Sequence, residues 1–176
     1  MHSSKLFLFI NGFFFYFYWW ICFWGASNDQ YYIGPFIAIL YFIFHFIIID
    51  EKMKEFKLIL IYTAYGFVLE SLFYYTRFIN YKGILPENFS IVPFWVLILW
   101  AGSSLTIFHS FKWIHKKYFL TFFFGGCFGP LIYLSGHIIG CISLQYNIGI
   151  SYLILFFIWS FSFTILNYIS VIINEN

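Results

Sequence analysis

Six apolar runs occupy most of this chain: residues 6–24, 32–49, 58–75, 91–108, 118–143 and 148–169. Each reaches or approaches the roughly 20 residues that a helix needs to cross a hydrocarbon layer of about 30 Å. Lipid leaves a backbone two ways to satisfy its polar groups, the helix and the closed barrel. Barrel strands alternate apolar and polar over about ten residues, and residues 36–49 do not alternate. The fold is therefore read as all-α: one polytopic integral membrane domain over residues 1–176, with six transmembrane helices.

Composition excludes the soluble alternatives. Hydrophobic residues make up 62% of the chain and charged residues 9%, against about 45–50% and 25% in a soluble domain. The mean hydropathy is +0.85. These values exclude a soluble enzyme, a disordered chain and a nucleic-acid binder with a basic face. Membrane lipids are the expected partners, together with a second copy or another membrane protein; nucleic acid is not. The 28 phenylalanines are read as packing bulk and genome bias. Cys22, Cys127 and Cys141 fall in apolar runs without metal-site spacing and are expected to be small buried residues.

Basic residues orient the bundle. Lys5, Lys52, Lys54, Lys57, Lys112, Lys116 and Lys117 fall on one side, and Arg77 and Lys82 on the other. Both termini are therefore expected in the cytoplasm, with the long third loop (about 76–90, containing Gly83 and Pro86) facing outward. The first run is read as an uncleaved helix, because Trp24 stands where a signal peptidase wants a small residue. Trp19, Trp20, Trp24, Tyr31, Tyr32, Tyr74, Tyr75 and Trp95 would form the outer aromatic belt. Trp113 and Tyr118 would form the inner one, with Trp100 and Trp159 packing at mid-depth.

Ionisable groups at membrane depth are costly and mark function. Glu70 is the one acid read as lying well inside a span. His137, at a similar depth on the fifth span, is a candidate partner, and the alternative is a carboxyl bonded to Tyr or Ser. A second polar set lies toward the cytoplasmic side: Asn11, His45, His109, Ser110 and Asn167. His45 and His109 on different helices raise haem ligation, but His109 sits at the water boundary. Zinc needs a third protein ligand, and no carboxylate or thiol is evident nearby. No metal and no cofactor is therefore expected. The fifth span carries Gly125, Gly129, Pro130, Gly136 and Gly140. These glycines share roughly one face, which predicts close helix packing or a cavity wall, with a kink at Pro130. No catalytic motif is present, and enzymatic activity is left open.

Several motifs together resemble the bacterial membrane family catalogued as domain of unknown function 2878. The likeness lies in Asn11 with Trp20-Ile21-Cys22-Phe23-Trp24-Gly25-Ala26, in Gly66 with Glu70, and in Pro93-x-Trp95, Leu99-Trp100, His109-Ser110 and Trp113. Its most specific part is Gly129-Pro130-Leu131-Ile132-Tyr133-Leu134-Ser135-Gly136 with Gly140. Phe17 departs from the pattern, where Gln is expected, and His45 and His137 are not part of it. The resemblance implies a small protein of the bacterial inner (cytoplasmic) membrane without an assigned activity. It directs attention to Asn11, Glu70, Trp100, His109 and the glycine run.

Three functions follow as expectations. The first is an accessory membrane protein that binds lipid or a membrane partner. The second is a small-solute or proton transporter using Glu70. The third is a lipid-modifying enzyme using Glu70 or the His45/His109 side, with those groups facing a lateral opening beside span five. Whether Glu70, Tyr133 and His137 line a cavity is the structural question these readings share.

Overall fold

The computed structural model describes residues 5–83 and 92–175. Six α-helices run through them: α1 (Lys5–Ser27), α2 (Ile33–Ile48), α3 (Lys52–Tyr75), α4 (Phe94–Phe108), α5 (Tyr118–Ile139) and α6 (Ile148–Glu175). Four of these, α1, α3, α5 and α6, are long and apolar enough to cross a membrane. Helices α2 and α4 have 16 and 15 residues. At about 1.5 Å per residue they run roughly 24 and 22 Å, shorter than the apolar runs suggested.

The exterior is apolar, and the polar side chains of the helices are gathered inside, within a core that is itself mostly apolar. Asn11, His45, Glu55, Glu70, Ser104, Thr121, Ser151, Ser160 and Asn167 are buried. Phe9, Phe13 and Phe17 stack along the exposed face of α1 with centroids 6.2 and 6.4 Å apart. Phe36, Leu40, Ile43 and Ile47 line the exposed face of α2. Such a contiguous apolar exterior would associate in water, and in lipid it has no cost. Phe17, the departure from the family pattern, belongs to this outer face.

Helix α4 is the centre. It packs against α1, α2, α3 and α6. Eleven of its 15 residues are buried, and only Phe94 is exposed. Pro93 precedes it in an extended conformation and its carbonyl accepts the Val96 N–H at 3.0 Å. The ring therefore sits just before the first helical residue, where its missing N–H costs nothing. Ile91 and Pro86 lie outside the described residues.

Helix α5 lies along α6, through the glycines. A Cβ on Gly125 would meet Phe163 and the Trp159 carbonyl at 2.6 Å, and one on Gly126 would press on Phe156 and Ser160. One on Gly129 would enter the Trp159 ring. The packing seam is thus Gly125, Gly126 and Gly129, with Pro130 buried inside a helix that continues past it. Gly136 instead faces Phe23, Cys141 and Ile142.

Gly140 has a different task and corrects the end of the fifth span. It adopts φ +86°, and the Gly140 and Cys141 amides both reach the Gly136 carbonyl at 3.0 Å. This is a glycine-terminated helix end in the left-handed conformation, so the helix stops at Ile139 rather than residue 143. The chain then forms β2 (Ile142–Leu144), which pairs antiparallel with β1 (Ile79–Tyr81); Tyr81 stands opposite Ile142. This two-stranded ribbon, absent from the sequence reading, ties the α3–α4 connection to the α5–α6 connection. Ile79, Tyr81 and Ile142 point inward, and Asn80 and Ser143 point out.

The opposite end of the bundle is also drawn together. Helix α3 begins at Lys52, six residues before the apolar run, so Lys52, Lys54, Glu55 and Lys57 stand on its first two turns. Lys54 Nζ donates to the Asn174 carbonyl at 3.3 Å, and Lys116 pairs with Glu175. These contacts hold the end of α6 against α3 and the start of α5.

Candidate functional site

The site is assembled from two glycines and two indoles. Gly66 lies one turn before Glu70 on α3, and Gly129 lies one turn before Tyr133 on α5. A Cβ on Gly66 would fall into the Trp100 ring, as one on Gly129 would fall into that of Trp159. The two indoles stack on each other with centroids 5.3 Å apart and planes 10° apart. The sequence therefore builds a sandwich: α3 backbone, Trp100, Trp159, α5 backbone. The missing side chains let the helices close on the rings, and the residue one turn on from each glycine faces the same space.

That space holds Glu70. Its side chain is buried. Its Oε1 accepts from Trp100 Nε1 at 2.8 Å and from the Tyr133 hydroxyl at 2.7 Å. Its Oε2 accepts from the Tyr81 hydroxyl. Tyr81 arrives from β1, and the ribbon fixes it there. Trp95 secures the same strand end, donating Nε1 to the Lys82 carbonyl at 2.9 Å. Burial, and then the neighbouring Glu70 carboxylate, push the Tyr81 phenol well above its ordinary pKa. Tyr81 therefore keeps its proton and remains a donor.

A cavity of about 70 Å³ opens beside this carboxylate. Glu70, Tyr81, Trp100, Ser103 and Tyr133 line it, and Phe15, Trp19, Phe23, Leu99 and Ile132 form apolar walls. An ionised carboxylate has about four acceptor sites. Three protein donors reach Glu70, which leaves one such site unfilled by the protein.

Several sequence expectations meet here and others do not. Glu70, Trp100 and Tyr133 come together, and Glu70 takes the hydrogen-bonded arrangement with tyrosine rather than pairing with His137. His137 is half-buried, its Nδ1 lacks a hydrogen-bond partner, and it is not among the donors to Glu70. Trp95 and Trp19 are buried against the cavity and leave the outer aromatic belt, whereas Trp20, Trp24, Tyr32 and Tyr75 are exposed as a belt requires. Cys127 is exposed, unlike the other two cysteines. Tyr81 was missed altogether, because a three-residue strand in a long loop carries no periodic signal.

The second polar set is also assembled, with one addition. Asn11 donates to the Tyr41 hydroxyl at 2.7 Å, and Ser110 Oγ stands 2.9 Å from Asn11 Oδ1. His109 Nε2 lies 2.5 Å from Glu55 Oε1, and His45 Nε2 lies 3.5 Å from Glu55 Oε2. The expectation that no carboxylate lies near these histidines is corrected. Glu55 precedes the apolar run that begins at residue 58 and stands among lysines, yet it is fully buried. Glu70 is therefore not the only buried acid. Among the described residues, His45, Glu55 and His109 are the group whose donor atoms stand close enough to share a metal ion.

These features define a helical membrane protein with a buried carboxylate at an aromatic cavity. A family model described as "Protein of unknown function (DUF2878)" matches residues 8–165. The chain belongs to that family. No curated protein and no solved structure matches it.

Proposed function

We propose that this protein binds the polar end of a lipid-like amphiphile at Glu70. The observation that carries the reading is a buried carboxylate with three protein donors and one acceptor site left, at the edge of an almost wholly apolar cavity. A ligand suited to it has a hydroxyl or ammonium donor for Glu70 and an apolar body for the aromatic walls. The volume takes a few water molecules or one small head group, so the rest of the amphiphile lies outside, along the bundle. The protein would sit in the bacterial inner membrane with six crossings and both termini in the cytoplasm, as its lysines favour.

Transport through Glu70 is the alternative. Glu55 and Glu70 are 15 residues apart on α3, about 22 Å along the helix, too far for a direct proton transfer between the two acids. Binding needs no such route. The test is lipid retention: tag-free protein is purified in mild detergent and its bound lipids are identified by native mass spectrometry. Wild type should keep one lipid class in preference to bulk membrane lipid. Glu70→Gln keeps the shape of the side chain but replaces one acceptor oxygen with an amide NH2 and should reduce that retention by about tenfold, for a loss near 1.4 kcal/mol. Equal retention by both proteins, or a lipid profile matching the bulk membrane, contradicts the reading.

A further inference from the structure

His45 on α2, Glu55 on α3 and His109, the residue that caps the end of α4, form a cluster far along α3 from the Glu70 cavity. From it we infer that the protein carries a site for a divalent transition-metal ion, with zinc as the ion that fits its donors. Three observations support the site independently of Glu70. The first is composition: two imidazoles and one carboxylate are the protein ligands of many zinc sites that keep a fourth position open for water. The second is geometry. One donor atom from each residue lies within 4.8 Å of the others, and ligand atoms around a tetrahedral zinc with bonds of about 2.0–2.1 Å stand roughly 3.4 Å apart. Side-chain rotations that move the tips by about an ångström or two close that difference.

The third observation is an unmet polar need. His45 and Glu55 are 2% and 0% exposed. His45 Nε2 and Glu55 Oε2 face each other across 3.5 Å, and neither has a hydrogen-bond partner. The two groups are within ion-pair distance but no hydrogen bond joins them, and a buried polar pair left without such a bond is costly. A cation between them satisfies both and neutralises the buried carboxylate. Phe7 closes one side, its ring 5.2 Å from that of His109 and 6.2 Å from that of His45. His109 retains 11% side-chain exposure and marks the route by which an ion enters.

The test uses tag-free, full-length protein in detergent, stripped with a chelator and re-equilibrated with zinc. Elemental analysis should find one zinc per chain. His45→Gln/His109→Gln should lower zinc affinity by well over the tenfold typical of losing a supporting group, and His137→Gln should leave it unchanged. Cobalt(II) is bound to the wild-type chain in parallel, so that the result does not depend on the variants folding. It should give the intense visible bands of a four- or five-coordinate ion. Zinc well below one per chain in the wild type, equal zinc in the folded double variant, or a cobalt spectrum matching the hydrated ion overturns the inference.

Discussion

At the scale of single residues, the architecture around Glu70 rests on what two glycines leave out. Gly66 and Gly129 each face an indole that a Cβ would enter, and Trp100 is held between Gly66 and Trp159 and by its bond to Glu70. Gly66→Ala should therefore destabilise the protein by about 1–3 kcal/mol, the usual cost of overpacking, despite the better helix propensity of alanine. Gly12→Ala is the matched control. Its Cβ would meet Ser110 Oγ at 3.4 Å, an ordinary contact, so it should be neutral or gain up to about 1 kcal/mol. Unfolding midpoints of both variants in the same detergent check the contrast. Equal midpoints would mean that the indole sandwich is looser than its geometry states.

At the scale of elements, the helices were legible because lipid demands long apolar runs, and their ends were not. Charges in the sequence placed the start of the third span at residue 58, but α3 begins at Lys52. A helix does not stop at the water boundary, and its first turns accept an acid such as Glu55 favourably. That error hid Glu55 and with it the cluster around His45 and His109. The end of the fifth span was misplaced for a different reason. Gly140 read as part of a small-residue face, and only its positive φ shows that it terminates the helix. The ribbon beyond it was invisible, since β1 and β2 are three residues each. Glu70 and Tyr133 could be singled out from the sequence, as a lone acid in an apolar run and a tyrosine beside the glycines. That they meet, and meet Tyr81 as well, depends on contacts between distant parts of the chain.

For the whole molecule, the apolar exterior, with the costly polar groups kept inside, is what a membrane bundle requires. The central place of the short helix α4 explains how 15 residues can serve at this depth: its neighbours cover it, so it need not match the full lipid thickness. The lysine-rich end, with the His45, Glu55 and His109 cluster, would face the cytoplasm, and the ribbon end with Glu70 would face outward. Single cysteines in a background without Cys22, Cys127 and Cys141 check this. Asn80→Cys, on the exposed edge of β1, should react with a membrane-impermeant maleimide added from outside the inner membrane. Lys116→Cys should react only after that membrane is opened. The reverse pattern would invert the topology and place the carboxylate cavity on the cytoplasmic side.

The central claim is that Glu70 holds a ligand. A structure determined by electron microscopy with the protein in nanodiscs of native membrane lipid tests it most directly. The account predicts density that enters the cavity between Trp100, Tyr133 and Tyr81, continues outward along the apolar walls, and places a donor within about 3.2 Å of the Glu70 carboxylate. A cavity closed over by its own side chains, or filled by water alone while lipid stays outside the bundle, would contradict it.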